Sequence, residues 1–526
     1  MKKILLLVFT LNFSLFTLHC FSQPAIQWEN SFGGTSDDQA SSIIQTNDGG
    51  YIIAGSAGSN NGDVTDFHGV STNAWIVKLD SYGVIEWKKC YGGTGGDHAN
   101  SIVQTSDSGY IFVGHTGSND GDVSGNHGIW DCWVVKLNDT GAIQWSKCYG
   151  GSGSDYGISI VQTVDGGYIF SGETDSNNGD ITGNHGSIDA WVVKLNNTGT
   201  IQWSKCYGGS LGDGAISIKQ TADGGYIFTG GAVSTDGDIT GHIGTLQNEW
   251  VVKIDTLGNI QWQKSYGGIS GGTVAYSILQ TSDGGYITGG VTNANDSDVS
   301  GNHGGSDYWV EKLTDTGDIQ WQKCYGGSSQ DIGYSIVKTV DGNYAIGGYS
   351  SSTDGQVTGN HNAEDYWVVK LDNNGTLLWE KSYGSAGSDQ AYSMIATNDN
   401  GFALAGASNW NGGDVTGHHG PNGGYTDYWV VKLAPDSMVG INEIANKGNI
   451  VVYPNPVSAT LTIRNYELGI RNGELGITDV FGREVYKTTL NGDNNSIDVS
   501  GFSNGVYFYQ ITNNKETLRG KFVKTN

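Results

Sequence analysis

Seven tryptophans recur along this chain at almost constant intervals. They are Trp28, Trp87, Trp145, Trp203, Trp262, Trp321 and Trp379, separated by 59, 58, 58, 59, 59 and 58 residues. A second set, Trp75, Trp133, Trp191, Trp250, Trp309, Trp367 and Trp429, opens a WVVKL-type run in each interval. A fixed period of this length marks one supersecondary unit repeated and stacked. Each unit holds four short β-prone runs; in the second they are Asn100 to Thr105, Tyr110 to Gly114, Trp133 to Leu137 and Ile143 to Tyr149. Tight-turn sequences, DGG-like and NDTG-like, join the first run to the second and the third to the fourth. Four antiparallel strands per unit is the blade of a β-propeller, so the expected fold is all-β and seven-bladed.

The ends of the array favour a closed ring. The chain enters at Ile26-Gln27-Trp28, a fourth strand, and leaves at Trp429 to Leu433, a third strand. Pairing the two would complete one blade from both ends and leave no open edge. The first strand of each unit, as at Gln39 to Thr46, is rich in small residues and is expected next to the crowded axis. The tryptophans are expected in the core between blades. Cys90, Cys148, Cys206 and Cys324 occupy one repeat position, so they and Cys132 read as small buried residues rather than a disulfide framework.

Around this array stand two further segments. Residues 1–22, with Lys2, Lys3 and an apolar run from Ile4 to Leu18, read as a secretory signal. Residues 23–433 form the propeller, 434–448 a linker, and 449–526 a small β-sandwich of the immunoglobulin-like type. Beyond residue 22 no stretch is apolar and long enough for a membrane helix.

The propeller repeat resembles the delta-60-type repeats of bacterial secreted propellers, through Asp223-Gly224-Gly225-Tyr226, Trp250 to Ile254, Gly258 and Tyr266-Gly267. The tail resembles the C-terminal sorting domain of the type IX secretion system of Bacteroidota. The matching residues are Tyr453-Pro454-Asn455-Pro456, Val480-Phe481-Gly482, Gly505 and Tyr507 in GVYF, and Lys521 and Lys524 in KFVK. That resemblance implies the type IX machinery as a partner and a secreted or surface-attached product.

Charge narrows the partners. The net charge is -26, and residues 23–440 contain sixteen lysines and no arginine. Nucleic acid and anionic lipid are excluded, as is a guanidinium fork for carboxylate or phosphate. The hairpin Thr163-Val164-Asp165-Gly166-Gly167 resembles a sialidase Asp-box, but the arginines of a sialidase site are missing.

Candidate sites lie in the loops. The loop between the second and third strands repeats an Asp, a His and a further Asp: Asp122, His127 and Asp131; Asp180, His185 and Asp189; Asp298, His303 and Asp307. Such sets could bind Ca2+ or a softer metal, or could instead cap turns through their own backbone. A second series, Asp38, Asp97, Asp155, Asp213, Asp331 and Asp389, precedes the innermost strand. It is expected near one mouth of the central channel, where it could draw cations or serve as turn caps. Trp130 and Trp410 fall outside the repeat, the latter near Tyr425; loop aromatics of this kind stack on sugars or protein side chains. His98 and His115 are off-pattern and isolated in sequence. The expectation is a non-catalytic binding or adhesion propeller for glycan or protein. An extracellular hydrolase or lyase and a structural surface-layer component are the alternatives.

Overall fold

In the computed structural model, residues 23–436, 450–453, 457–465, 471–479, 483–491, 494–512 and 517–525 are described. All regular structure among them is β. The secretory signal, most of the linker and Pro454, Asn455 and Pro456 of the sorting motif lie outside the described residues. The chain divides into two units, one of them Gln23–Asp436 and the other holding the tail.

The larger unit is a seven-bladed propeller. It contains seven four-stranded antiparallel sheets. Blade 1 spans Asp38–Gln45 to Ile85–Tyr91 and blade 2 spans Asp97–Gln104 to Ile143–Tyr149, with later blades following in order. Each innermost strand touches the innermost strand of the next blade, and that of blade 7, Asp389–Ala396, touches that of blade 1. Serines stitch these strands together: Ser42 Oγ accepts from the Ile102 amide, Ser101 Oγ from Ile160, Ser159 Oγ from Ile218, and Ser393 Oγ from Ile43. The last contact closes the ring.

Closure uses the strand exchange expected from the chain ends. Ile26–Phe32 pairs antiparallel with Asp427–Leu433, with Glu29 opposite Val431 and Ser31 opposite Trp429. Elsewhere the outermost tyrosine of a blade donates its hydroxyl to the hairpin glycine carbonyl of the next blade, as Tyr91 does to Gly141 at 2.6 Å. Blade 7 lacks that hairpin. Tyr383 donates instead to Pro24, at 2.7 Å, so the N-terminal segment stands in for it.

The third-strand tryptophans are fully buried. Those of the outermost strands are mostly half-buried; they lie over the next blade's hairpin, where a side-chain carbon on Gly141 would come within 3.0 Å of Trp87. The axis is less uniform than small residues would make it. At one equivalent position of the innermost strands, blades 5, 6 and 7 carry Tyr276, Tyr334 and Tyr392, where blade 1 has Ser41 and blade 2 Asn100.

The tail packs two sheets around one core. Three strands, Ile450–Tyr453, Thr460–Asn465 and Asn494–Asp498, face four others, ending with Gly505–Thr512 and Thr517–Lys524. Leu461, Leu475, Ile477, Ile497, Ile511 and Phe522 fill the space between.

Candidate functional site

The two ends of the propeller differ. At the hairpin end, every blade repeats one device. Thr163 donates its hydroxyl to Asp165 Oδ1, the Gly167 amide donates to the same oxygen, and Lys194 Nζ lies 2.9 Å from Oδ2. The loop end is built from the connections between second and third strands. Six of these loops carry two acidic side chains and the seventh carries one; none carries lysine or arginine.

The structure separates the expected Asp–His–Asp sets. His127 Nδ1 lies 2.6 Å from Asp131 Oδ2, which also accepts the His127 amide. His185 and Asp189, and His303 and Asp307, are paired alike, each at 2.6 Å. Asp122, Asp180 and Asp298 point elsewhere: each accepts the amide of a glycine entering the blade, Gly92, Gly150 and Gly267. Among the described residues no group of three or more His, Cys, Asp or Glu is placed to hold a metal ion. The local geometry is that of turn capping.

The second aspartate series does not line the channel mouth. Asp38, Asp97, Asp155, Asp213, Asp331 and Asp389 are at most 2% exposed. Asp97 accepts from the Gly93 amide and from Ser118 Oγ, at 2.8 and 2.9 Å, and from Thr116 Oγ1. Each carboxylate ties the incoming connection to the end of the second strand, because a buried acceptor must find its donors inside.

A different group breaks the repeat at this end. The imidazoles of His98 and His115 stack with centroids 4.5 Å apart and planes 16° apart. Trp130 stands edge-on to His115 at 5.2 Å, and Tyr156 does so from blade 3 at 4.9 Å. All four are half-buried. His98 and Tyr156 each follow the first residue of an innermost strand, which places the cluster beside the axis. Burial pushes both imidazoles down, His115 to about 3, so both rings are neutral at physiological pH. Further along the ring of innermost strands, Tyr334 meets Tyr276 at 4.7 Å and Tyr392 at 5.3 Å.

Of the two loop aromatics in blade 7, Trp410 packs under its own loop against Gly387 and Gly423, whereas Tyr425 is 53% exposed. The sequence marks the two histidines as off-pattern but isolated, because they are 17 positions apart. Hairpin register brings them opposite one another, but only after a bulge between Ala99 and Ser101.

In the tail, Tyr507 and Lys521 lie on paired strands, with Gly505 opposite Lys524 and Phe508 opposite Lys521. Tyr507 is buried, and its hydroxyl donates to the Ser503 carbonyl at 2.9 Å. Residues 451–525 match the family model of the secretion system C-terminal sorting domain. The tail is a secretion sorting domain. It directs the chain through the type IX machinery to the cell surface or the extracellular space. Among the described residues no helix is long and apolar enough to cross a membrane.

No curated protein sequence matches the chain. Among solved structures it is similar to PorZ, a surface component of the type IX system of Porphyromonas gingivalis. Identity is 13% and the TM-score 0.39, over 91% of this chain and 58% of that one. The extracellular domain of BT4673 from B. thetaiotaomicron gives 11% and 0.41, over 96% and 60%. Sqt1 from Chaetomium thermophilum gives 13% and 0.41, over 79% and 100%. The chain thus spans about three fifths of the length of the first two.

Proposed function

We propose that the propeller is a non-catalytic binding module, exported by its sorting domain, that takes a glycan at the loop end beside the axis. The observation that carries this reading is the cluster of His98, His115, Trp130 and Tyr156. A packed propeller needs no aromatic side chains at these places, since other blades put Gln39, Ser56 and Glu173 at the equivalent positions. Half-exposed aromatic faces suit the apolar faces of sugar rings. Neutral imidazoles, with Thr72 Oγ1 at 3.1 Å from His98 Nε2 and Asn100 Nδ2 at 3.3 Å from His115 Nδ1, offer hydrogen bonds to hydroxyls. These partners are a hydroxyl and an amide, which speaks for recognition rather than general base chemistry. The acidic loops around the cluster favour neutral or cationic sugars over acidic ones. The proposed site does not call on calcium, since it is built from aromatic rings and neutral polar groups, while His127, His185 and His303 already hold Oδ2 of Asp131, Asp189 and Asp307.

The test is a glycan array with the mature chain, in calcium and in chelator. Neutral or amino sugars are expected to bind in both buffers. Trp130→Ala should weaken binding by about tenfold, and Tyr425→Ala should leave it unchanged. Binding that survives Trp130→Ala, or that needs calcium, would overturn the assignment.

A further inference from the structure

Six of the seven blade junctions are filled by an aromatic ring, supplied in one of two ways. Between blades 1 and 2, 2 and 3, and 3 and 4, a small third-strand residue (Ala74, Cys132, Ala190) meets a phenylalanine of the next blade (Phe112, Phe170, Phe228). Those phenylalanines pack edge-on against Trp133, Trp191 and Trp250. In the remaining junctions the third strand supplies a tyrosine. Tyr308, Tyr366 and Tyr428 lie tilted against the next blade's tryptophan, with centroids 4.4 to 4.6 Å apart. Each hydroxyl donates to that tryptophan's carbonyl. The partner position then holds an aliphatic residue, as with Ile346 and Ile53.

The junction of blades 4 and 5 follows neither rule. Glu249 stands where the others have a small residue or tyrosine, and Thr288 where they have phenylalanine or an aliphatic. Directly opposite Thr288 is Glu311, at a position that is valine in the other six blades. Glu249 and Glu311 are 1% and 0% exposed. As two carboxylates they have only acceptors to offer each other. Glu249 Oε1, both oxygens of Glu311 and Thr288 Oγ1 find no partner. Two unpaired charges in so dry a place would be prohibitive.

We propose that this junction is a proton-held seam, in which Glu249 and Glu311 share a proton whose loss at higher pH opens the ring there. One acid donating to the other carboxylate supplies the missing donor and removes one charge. The Thr288 hydroxyl can donate to Glu249, which still leaves both oxygens of Glu311 without a donor. The titratable groups that act on the pair are Tyr266 from the fourth strand of blade 4, Cys324 from the fourth strand of blade 5 and Asp298 from the loop above. None is a cation. Lys312, next to Glu311, is turned to Asp283, and Lys253 to Asp223. Burial pushes both carboxyls up, and the neighbouring Glu249 raises Glu311 further. The unfolded chain releases these protons near pH 4.5. Stability from the seam is therefore complete below that pH and is lost as pH rises through neutrality and beyond.

The test is hydrogen exchange of the mature protein from pH 5 to 9, following strands Asn248–Ile254 and Asp307–Leu313, with the other third strands as internal reference. Relative protection of the two strands should fall by about tenfold per pH unit for each proton lost. The triple change Glu249→Tyr, Thr288→Ile and Glu311→Val copies the next junction and should abolish that fall. Glu311→Gln, which donates without titrating, should flatten it. Infrared spectra should show a protonated carboxyl band at neutral pH that Glu311→Gln weakens. Equal pH slopes in all strands of the wild type, or protection that collapses on chelation, would overturn the seam; the latter would place a metal ion between the acids.

Discussion

The propeller carries a ring of aspartates at each end, and the two rings behave oppositely. At the hairpin end each carboxylate faces a lysine whose side chain is at most 5% exposed, at 2.5 to 2.9 Å. Partial burial pushes Asp48, Asp165 and Asp341 up. The threonine hydroxyl, the ammonium and a backbone amide outweigh it and bring them to about 2. At the loop end the partners of the buried aspartates are amides and hydroxyls, with no lysine among them. Burial dominates, and even with several donors Asp38 is pushed to about 6 and Asp389 to about 7. A carboxylate can therefore serve as a structural staple in two ways. A cation lets it stay charged, whereas neutral donors alone leave the charged form expensive.

This contrast predicts opposite pH dependence at the two ends. The largest effect is at the loop end. Asp389 is raised by roughly three units, which corresponds to up to about 4 kcal/mol between its protonation states. Its folded pKa lies above the unfolded one, so stability is full below about pH 4 and is lost as pH rises through 7. The melting temperature should fall between pH 5 and 8. Asp389→Asn should lower stability at pH 5 and narrow that difference. A melting temperature that climbs over this range in both proteins would break the comparison.

The hairpin end has the opposite sign and a smaller size. Its folded pKa values lie below the unfolded ones, so its contribution is present above about pH 4 and is lost as pH falls toward 2. The carboxylates are about half exposed, and solvent screening limits each pair to about 1 kcal/mol. Asp165→Asn should remove part of the acid sensitivity while leaving the slope between pH 5 and 8 unchanged. Hydrogen exchange in the strand Tyr168–Thr174, followed from pH 5 to 2.5, would show it.

How much of this was legible in the sequence follows from what repeats. The blade count, the strand exchange at closure and the burial of the third-strand tryptophans were readable because seven near-copies average away local accident. Four features were not readable, for physical reasons. The aspartates before the innermost strand could be placed near the axis, but not turned inward, because hydrogen-bond direction does not show in spacing. The Asp and His of one loop lie close in sequence, yet a glycine amide claims one and its own loop the other. His98 and His115 meet only through a bulged register. Glu249 and Glu311 meet across a blade boundary, 62 positions apart, where only the ring geometry brings them together. Departures from a repeat carried more information about the site than the repeat did.

One departure at the hairpin end gives the smallest effect and the sharpest check on the fold. The turn residue after the aspartate is glycine in five blades, with φ near 80° to 88° at Gly49, Gly166, Gly224, Gly284 and Gly342. In blade 2 it is Ser108 and in blade 7 Asn400, both at φ 68°. An L-residue pays for that region; asparagine tolerates it better than serine does. Nothing lies within 4 Å of where a side chain would project from Gly166, so sterics with neighbours play no part and the backbone alone decides. Ser108→Gly should therefore stabilise blade 2 by about 0.5–1 kcal/mol, less the greater freedom of glycine in the unfolded chain. Gly166→Ser should cost blade 3 a similar amount, and Asn400→Gly should gain less than Ser108→Gly. Thermal melts of the three variants at pH 7 measure this. If Ser108→Gly lost stability while Gly166→Ser gained it, the two turns could not share one backbone conformation, and the equivalence of the blades at the hairpin end would fail.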